Sequence, residues 1–291
     1  MKHRSGFVNI VGNPNVGKST IMNALVGERL SIITSKSQTT RHRIMGIVNG
    51  EGFQIVYSDT PGILKPNYKL QESMMKSIKT ALTDADILIY ITDVVEKIDK
   101  NPDMLEKIGK LKIPILTVIN KIDLSSQEEV NELIQKWQTI FPKTEIIPMS
   151  AINNFNIEKL LHRIIDLLPE GPAYFPKDQL SDKTERFFIQ EIIREKILIK
   201  YQKEIPYSVE IEVESFVEEK EIIRIRAIIY VMRESQKGII IGHQGQPLKT
   251  IGQLARGDIE QFFSKKVYLE LFVKVSKEWR DKDRLLRKFG Y

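Results

Sequence analysis

Gly12-Asn13-Pro14-Asn15-Val16-Gly17-Lys18-Ser19 has the spacing of a Walker A loop. The glycines let backbone N–H groups converge on phosphate oxygens, and the helix that follows points its positive end at the anion. Lys18 is placed to reach β- and γ-phosphates, and the Ser19 hydroxyl suits Mg²⁺. Asp59-Thr60-Pro61-Gly62 ends a later apolar run. There a carboxylate can hold a metal-bound water, and the Gly62 N–H can sense a γ-phosphate. Asn120-Lys121-Ile122-Asp123 follows a further apolar run, and Asp123 can accept from N1–H and the exocyclic amine of guanine. Lys121 can lay its stem over the base, and Asn120 can tie this loop to the phosphate loop. Ser150-Ala151 ends the next run, where a backbone N–H can meet guanine O6. The candidate nucleotide site is therefore Gly12, Asn13, Pro14, Asn15, Val16, Gly17, Lys18, Ser19 and Thr20; Asp59, Thr60, Pro61, Gly62 and Ile63; Asn120, Lys121 and Asp123; and Ser150 and Ala151.

Strands and helices alternate so as to bring these segments together. Phe7–Val11, Phe53–Tyr57, Ile87–Thr92, Ile113–Ile119 and Glu145–Pro148 are strand-length apolar runs. Helical patterns lie between and after them: Ser19–Val26, Leu70–Leu82, Asp103–Leu111, Ser126–Ile140 and Ile157–Leu168. That alternation predicts an α/β, doubly wound, mostly parallel sheet, with ligands at the carboxyl ends of its strands. The stretch Arg43–Tyr57, turning at Gly50-Glu51-Gly52, predicts a hairpin that adds an antiparallel edge strand. Pro169-Glu170-Gly171-Pro172 through Pro176 breaks the pattern and predicts a linker. Beyond it come a helix (Thr184–Lys200), strands (Tyr207–Val217, Ile222–Met232), helices (Ser235–Ile241, Pro247–Phe263), a strand (Lys266–Val275) and a basic tail. This is an α+β order. The expected domains are 1–170, a linker over 171–181, and 182–291.

Composition narrows the chemistry. The 291 residues contain no cysteine, which removes disulfides, thiolate zinc and iron–sulfur sites and suggests a reducing compartment. No targeting segment or apolar run long enough to span a bilayer is visible. The net charge of +6 permits an anionic partner without demanding one. Up to Glu170 there are 21 basic and 19 acidic residues (+2), and beyond it 23 and 19 (+4).

The ordered motifs resemble those of the translation-factor-like GTPases over residues 4–170. Ser37-Gln38-Thr39-Thr40-Arg41-His42-Arg43 resembles the switch-I signature of the Era family. The resemblance implies Mg²⁺ on Ser19, Thr40 and Asp59, with Thr39 as second choice to Thr40. It implies Lys18, Thr40, Asn15 and Gly62 as the catalytic set. Ile63 stands where Ras-like enzymes carry a water-positioning glutamine, so hydrolysis must be arranged otherwise and intrinsic turnover should be slow. Relatives with asparagine at the position of Asn15 use it to hold K⁺; the other reading is that Asn15 only caps the loop.

Gly242-His243-Gln244-Gly245 between two helices resembles the loop of a KH domain, and the element order resembles its type II arrangement. The implied RNA contacts are Gly242, His243, Gln244 and Gly245, the basic Lys237, Lys249 and Arg256, and a groove on Ile239, Ile240 and Ile251. For most of that isoleucine row, core is the ordinary reading. The loop departs from the family by lacking a lysine or arginine between its glycines. Nine basic residues among the last, Lys265 to Lys288, read as a solvated face or as contacts to RNA or an anionic membrane.

The Era resemblance thus implies a GTP/GDP switch. It would bind the single-stranded 3′ end of small-subunit (16S) ribosomal RNA and assist small ribosomal subunit assembly. It further implies a cytoplasmic monomer with peripheral attachment to the inner membrane. A second reading stays open: an RNA-independent regulatory GTPase whose C-terminal domain is a protein-interaction module. A P-loop kinase would leave Asn120-Lys121-Ile122-Asp123 unexplained.

Overall fold

The computed structural model describes residues 2–98 and 101–291. Contacts divide the described chain into two compact units. The first holds the residues up to Ser31, Thr40–Pro66 and Ser73–Asp182; the second holds Ile32–Thr39, Asn67–Glu72 and Lys183–Tyr291.

In the first unit, strands β1 (Arg4–Gly12), β2 (Ile44–Gly50), β3 (Phe53–Asp59), β4 (Ile87–Asp93), β5 (Ile115–Asn120) and β6 (Glu145–Pro148) form one sheet in the order β2-β3-β1-β4-β5-β6. β2 and β3 pair antiparallel and the remaining pairs are parallel, so the hairpin supplies the edge. The helices are α1 (Lys18–Val26), α2 (Lys69–Thr83), α3 (Pro102–Gly109), α4 (Gln127–Ile140) and α5 (Ile157–Leu167). β4 is buried throughout, as expected of a strand covered on both faces. β5 starts at Ile115 rather than Ile113, because Pro114 has no N–H to give a ladder. Ser126 and Glu129 form a capping box that fixes the start of α4.

The proline-rich stretch 171–181 is not a free tether but packs within this unit. The buried Gln54 brackets it: Oε1 accepts from the N–H groups of Tyr174 (2.7 Å) and Phe175 (3.0 Å), and Nε2 donates to the Phe175 carbonyl (2.8 Å). Tyr174 also packs its ring 4.8 Å from that of Phe7.

The second unit contains α6 (Glu185–Lys200), α7 (Ile205–Ser208), β7 (Glu210–Glu218), β8 (Ile222–Val231), α8 (Glu234–Ile241), α9 (Gln246–Phe263), β9 (Lys266–Val275) and α10 (Asp283–Lys288). Its three-stranded sheet runs β7-β8-β9, with β8 and β9 parallel. Tyr207 and Ser208, expected in the strand, lie in α7, where Pro206 suits a first helical turn. The C-terminal stretch is more than a basic tail. Trp279 is fully buried, donates Nε1–H to the Ser208 carbonyl (2.9 Å), and Leu286 of α10 is buried as well. Charge dominates that stretch in sequence and hides these two anchors.

Candidate nucleotide site and nucleic-acid cleft

The motif segments converge at the carboxyl ends of β1, β3, β5 and β6. Gly17 has φ 98°, and a Cβ there would stand 2.2 Å from Asn120 Nδ2, so glycine is required twice over. Asn120 joins three segments: Nδ2 donates to the Val16 carbonyl (2.9 Å), and Oδ1 accepts from Ala151 N–H (3.1 Å). Gly62 packs against Pro14 so closely that a Cβ would lie 2.7 Å from the proline nitrogen.

Lys18 is 6% exposed and donates to the Asn13 carbonyl (2.8 Å). Burial lowers its ammonium to about 8, while the carboxylates of Asp59 and Glu96 pull the other way. A lysine held in this condition gains from a phosphate, which restores the partner that burial has denied it.

Ser19 Oγ donates to Asp59 Oδ2 (2.7 Å), and Thr40 Oγ1 lies 3.0 Å from Ser19 Oγ and 3.2 Å from the same carboxylate oxygen. Asp59 is fully buried and its Oδ1 has no hydrogen-bond partner. Burial raises its pKa, against the pull of Lys18 and its hydroxyl donors. Two hydroxyls and a carboxylate with an unused buried oxygen form a hard oxygen donor set that fits Mg²⁺. Thr39 is engaged elsewhere, with Thr34 Oγ1 (2.6 Å) and the Lys36 carbonyl (2.7 Å). Thr40 is thus the threonine brought to Ser19 and Asp59.

Ser150 Oγ donates to Asp123 Oδ1 (2.5 Å), orienting the carboxylate expected to read the base. Lys121, in left-handed conformation (φ 62°), reaches the Asn15 carbonyl (2.6 Å) and Asp93 Oδ2 (2.5 Å).

Several expected roles change. Thr60 is fully buried and donates to the Ile10 carbonyl (2.7 Å), so it fastens β3 to β1 rather than facing a ligand. Ile63 buries its side chain in the core and gives its N–H to the Gly12 carbonyl (3.1 Å). Val16 is buried and leaves only backbone for a ligand. The N–H groups of Ser150 and Ala151, expected at guanine O6, already pair with the Phe155 carbonyl (3.4 Å) and Asn120. Asn15 is exposed on the loop at φ 66°, Pro14 and Thr20 are half-buried, and Pro61 is buried.

Two carboxylates escaped the sequence reading. Asp93 closes β4 beside Asn120 in register and holds Lys121. Glu96 accepts from Thr92 Oγ1 (2.7 Å) and from Nδ2 of the buried Asn13 (2.7 Å), thereby fixing the phosphate loop. The available signal, for Asp93 alone, was a carboxylate ending an apolar run, as at Asp59.

In the second unit a cleft of about 380 Å³ runs between α9 and β9. Three expected residues, Gly245, Lys249 and Arg256, line it, together with Leu248, Tyr268 and Leu271, which were not expected. Gly242 (φ 67°), Gln244 (φ 51°) and Gly245 (φ 72°) bend the loop through left-handed conformations. His243, Gln244 and Ile239 are exposed and Lys237 is half-buried. Ile240 and Ile251 are fully buried in the unit's core and offer nothing to a ligand. They lie on the inner faces of α8 and α9, where helical spacing selects core positions. Within the basic C-terminal run, Lys265, Lys274 and Lys288 pair with Glu218 (2.9 Å), Glu214 (3.8 Å) and Glu212 (2.7 Å), which supports the solvated-face reading. No described helix is long and apolar enough to cross a membrane.

Comparison with known proteins agrees with this geometry. A family model described as "50S ribosome-binding GTPase" matches residues 7–121, and a KH domain model matches residues 204–280. GTPase Era of Staphylococcus haemolyticus is 44% identical over 292 residues, covering all of this chain and 98% of that protein. A crystal structure of Era with MgGDPNP and nucleotides 1506–1542 of 16S ribosomal RNA matches at TM-score 0.95 and 38% identity, over 99% of each chain. An Aquifex aeolicus Era variant bound to GDP.AlF4- matches with the same TM-score, identity and coverage.

Proposed function

The chain belongs to the Era family of GTPases, and we propose that it is a GTP-driven switch whose KH-bearing unit binds the 3′ end of 16S ribosomal RNA during small-subunit assembly. The observation that carries this reading is the union of two sites in one chain. One is the Lys18, Ser19, Thr40 and Asp59 cluster; the other is the glycine-loop cleft. The full-length likeness to an Era solved with both kinds of ligand supports it. The 50S in the family model's description comes with a match that stops at residue 121, short of the cleft.

Backbone N–H groups of the loop Gly12–Ser19 and the Lys18 ammonium bind the phosphates. Asp123, oriented by Ser150, accepts from the guanine edge, and Lys121, held by Asp93, covers the base. Ser19, Thr40 and Asp59 would hold Mg²⁺, which when bound neutralises charge on the phosphate oxygens. The buried Ile63 places no polar side chain beside the attacking water. Intrinsic hydrolysis is therefore slow, and K⁺ held with the help of Asn15 is the proposed supplement. Loss of the γ-phosphate removes the ligand that Thr40 and Gly62 respond to. Ile32–Thr39 runs directly into Thr40 and belongs to the KH-bearing unit, so the change has a covalent route into it.

The test is binding of the full chain to the 16S 3′ segment across a salt series, with a non-hydrolysable GTP analogue and with GDP. Expected are binding that weakens with salt, a difference between nucleotides, and loss on replacing His243 and Gln244 by aspartate. Absence of binding at every salt concentration overturns the RNA reading and leaves the protein-interaction module.

A further inference from the structure

β9 is an edge strand, and its residues alternate between two faces. Val267, Leu269, Leu271 and Val273 pack into the core, while Lys266, Tyr268, Glu270, Phe272 and Lys274 lie on the other face. Tyr268 and Phe272 are 49% and 44% exposed, unusual for two large rings on one strand. Each is backed by an arginine from β8: Arg224 lies 5.6 Å from the Tyr268 ring centroid and Arg226 5.4 Å from that of Phe272. Tyr268 also lines the cleft between α9 and β9, so the ring row adjoins the cleft.

We propose that single-stranded RNA leaving the cleft crosses the edge of β9 and stacks two of its bases, not adjacent in the strand, on Tyr268 and Phe272. Arg224 and Arg226 meet its phosphates. Neighbouring positions on one face of a strand are about 6.6 Å apart, roughly twice the rise between stacked bases, and Tyr268 and Phe272 are two such steps apart. The row therefore suits an extended, unstacked strand and rejects a duplex. Aromatic rings accept any base, since every base has a π-face. The arginines are available at little cost: their pairs with Glu219 (2.9 Å) and Glu270 (3.1 Å) are solvent-exposed and contribute little. Lys266 adds exposed positive charge at one end of the row. This inference rests on the RNA-binding reading and extends the bound strand beyond the KH loop's own few nucleotides.

The test uses the full chain and fluorescence anisotropy with two probes: a twelve-nucleotide RNA ending at the 16S 3′ terminus, and four-nucleotide fragments tiled across it. Phe272→Ala should weaken the twelve-nucleotide RNA about tenfold and leave the fragments unchanged. Phe272→Trp should keep the affinity, and its fluorescence should be quenched by the longer RNA only. Trp137 and Trp279 are buried, so the new indole reports on the surface. An unchanged affinity in Phe272→Ala, equal losses for both RNA lengths, or an unquenched Trp would overturn the proposal. If the unmodified chain binds neither RNA, the RNA reading itself fails, a result distinct from all of these.

Discussion

Nucleotide binding should take up protons above neutral pH, because Lys18 is buried without an anionic ligand. Its ammonium stands at about 8 against the usual 10.5. The difference amounts to roughly 3 kcal/mol of unfavourable burial that a phosphate can offset. The sign follows from linkage. The bound state holds the proton more tightly than the free state, so binding is strongest below about 8 and weakens as pH rises through it. From pH 7.5 to 8.5 the neutral fraction in the free protein rises from about a quarter to about three-quarters. GDP binding should therefore take up about 0.25 proton at pH 7.5 and about 0.75 at pH 8.5, with affinity falling about threefold. Terminal phosphates are already ionised in this window, so they contribute little. Titration calorimetry in two buffers of different ionisation enthalpy reads the uptake directly. Lys18→Arg, which does not titrate, should bind with flat pH dependence. Flat uptake in the unmodified chain, or the same curve in Lys18→Arg, would refute the reasoning.

Asp123→Asn should lower GTP affinity at least about tenfold and raise that for xanthosine triphosphate, since charged hydrogen bonds to the base are exchanged for an amide's; competition binding measures both, and unchanged guanine preference contradicts the base assignment. Gly62→Ala should destabilise the free protein by about 1–3 kcal/mol, because its Cβ meets Pro14 backbone that cannot swing away. Denaturant unfolding checks this, and an unshifted midpoint would mean the two loops do not approach so closely. GTP turnover should be faster in K⁺ than in Na⁺, and Asn15→Ala should erase the difference; equal rates in both salts remove the K⁺ proposal.

The sheet and most of the phosphate site were legible in the sequence for a common reason. Strand-length apolar runs alternate with helices, each motif ends a run, and an open sheet gathers strand ends on one edge. Gly17 and Asn120 could be named from local chemistry. Asp93 ends an apolar run as Asp59 does, but its role of holding Lys121 follows only from the pairing of β4 with β5. Glu96 ends no such run and meets Asn13 only in the folded chain. Thr39 and Thr40 are adjacent in sequence and chemically identical, and only the folded chain points one hydroxyl at Asp59 and the other at Thr34.

The amino-acid sequence by itself determined which groups could meet a nucleotide, in what order they come, and that a glycine loop sits between two helices. Tertiary structure decided which of them face a ligand. Periodicity makes core the ordinary reading for Ile240 and Ile251, but only the folded chain shows that both are fully enclosed and Ile239 is not. Periodicity likewise marks Tyr268 and Phe272 as sharing a face, but only the pairing of β8 with β9 sets arginines against their rings. Burial and register depend on what the rest of the chain places opposite a residue, and that is a property of the fold.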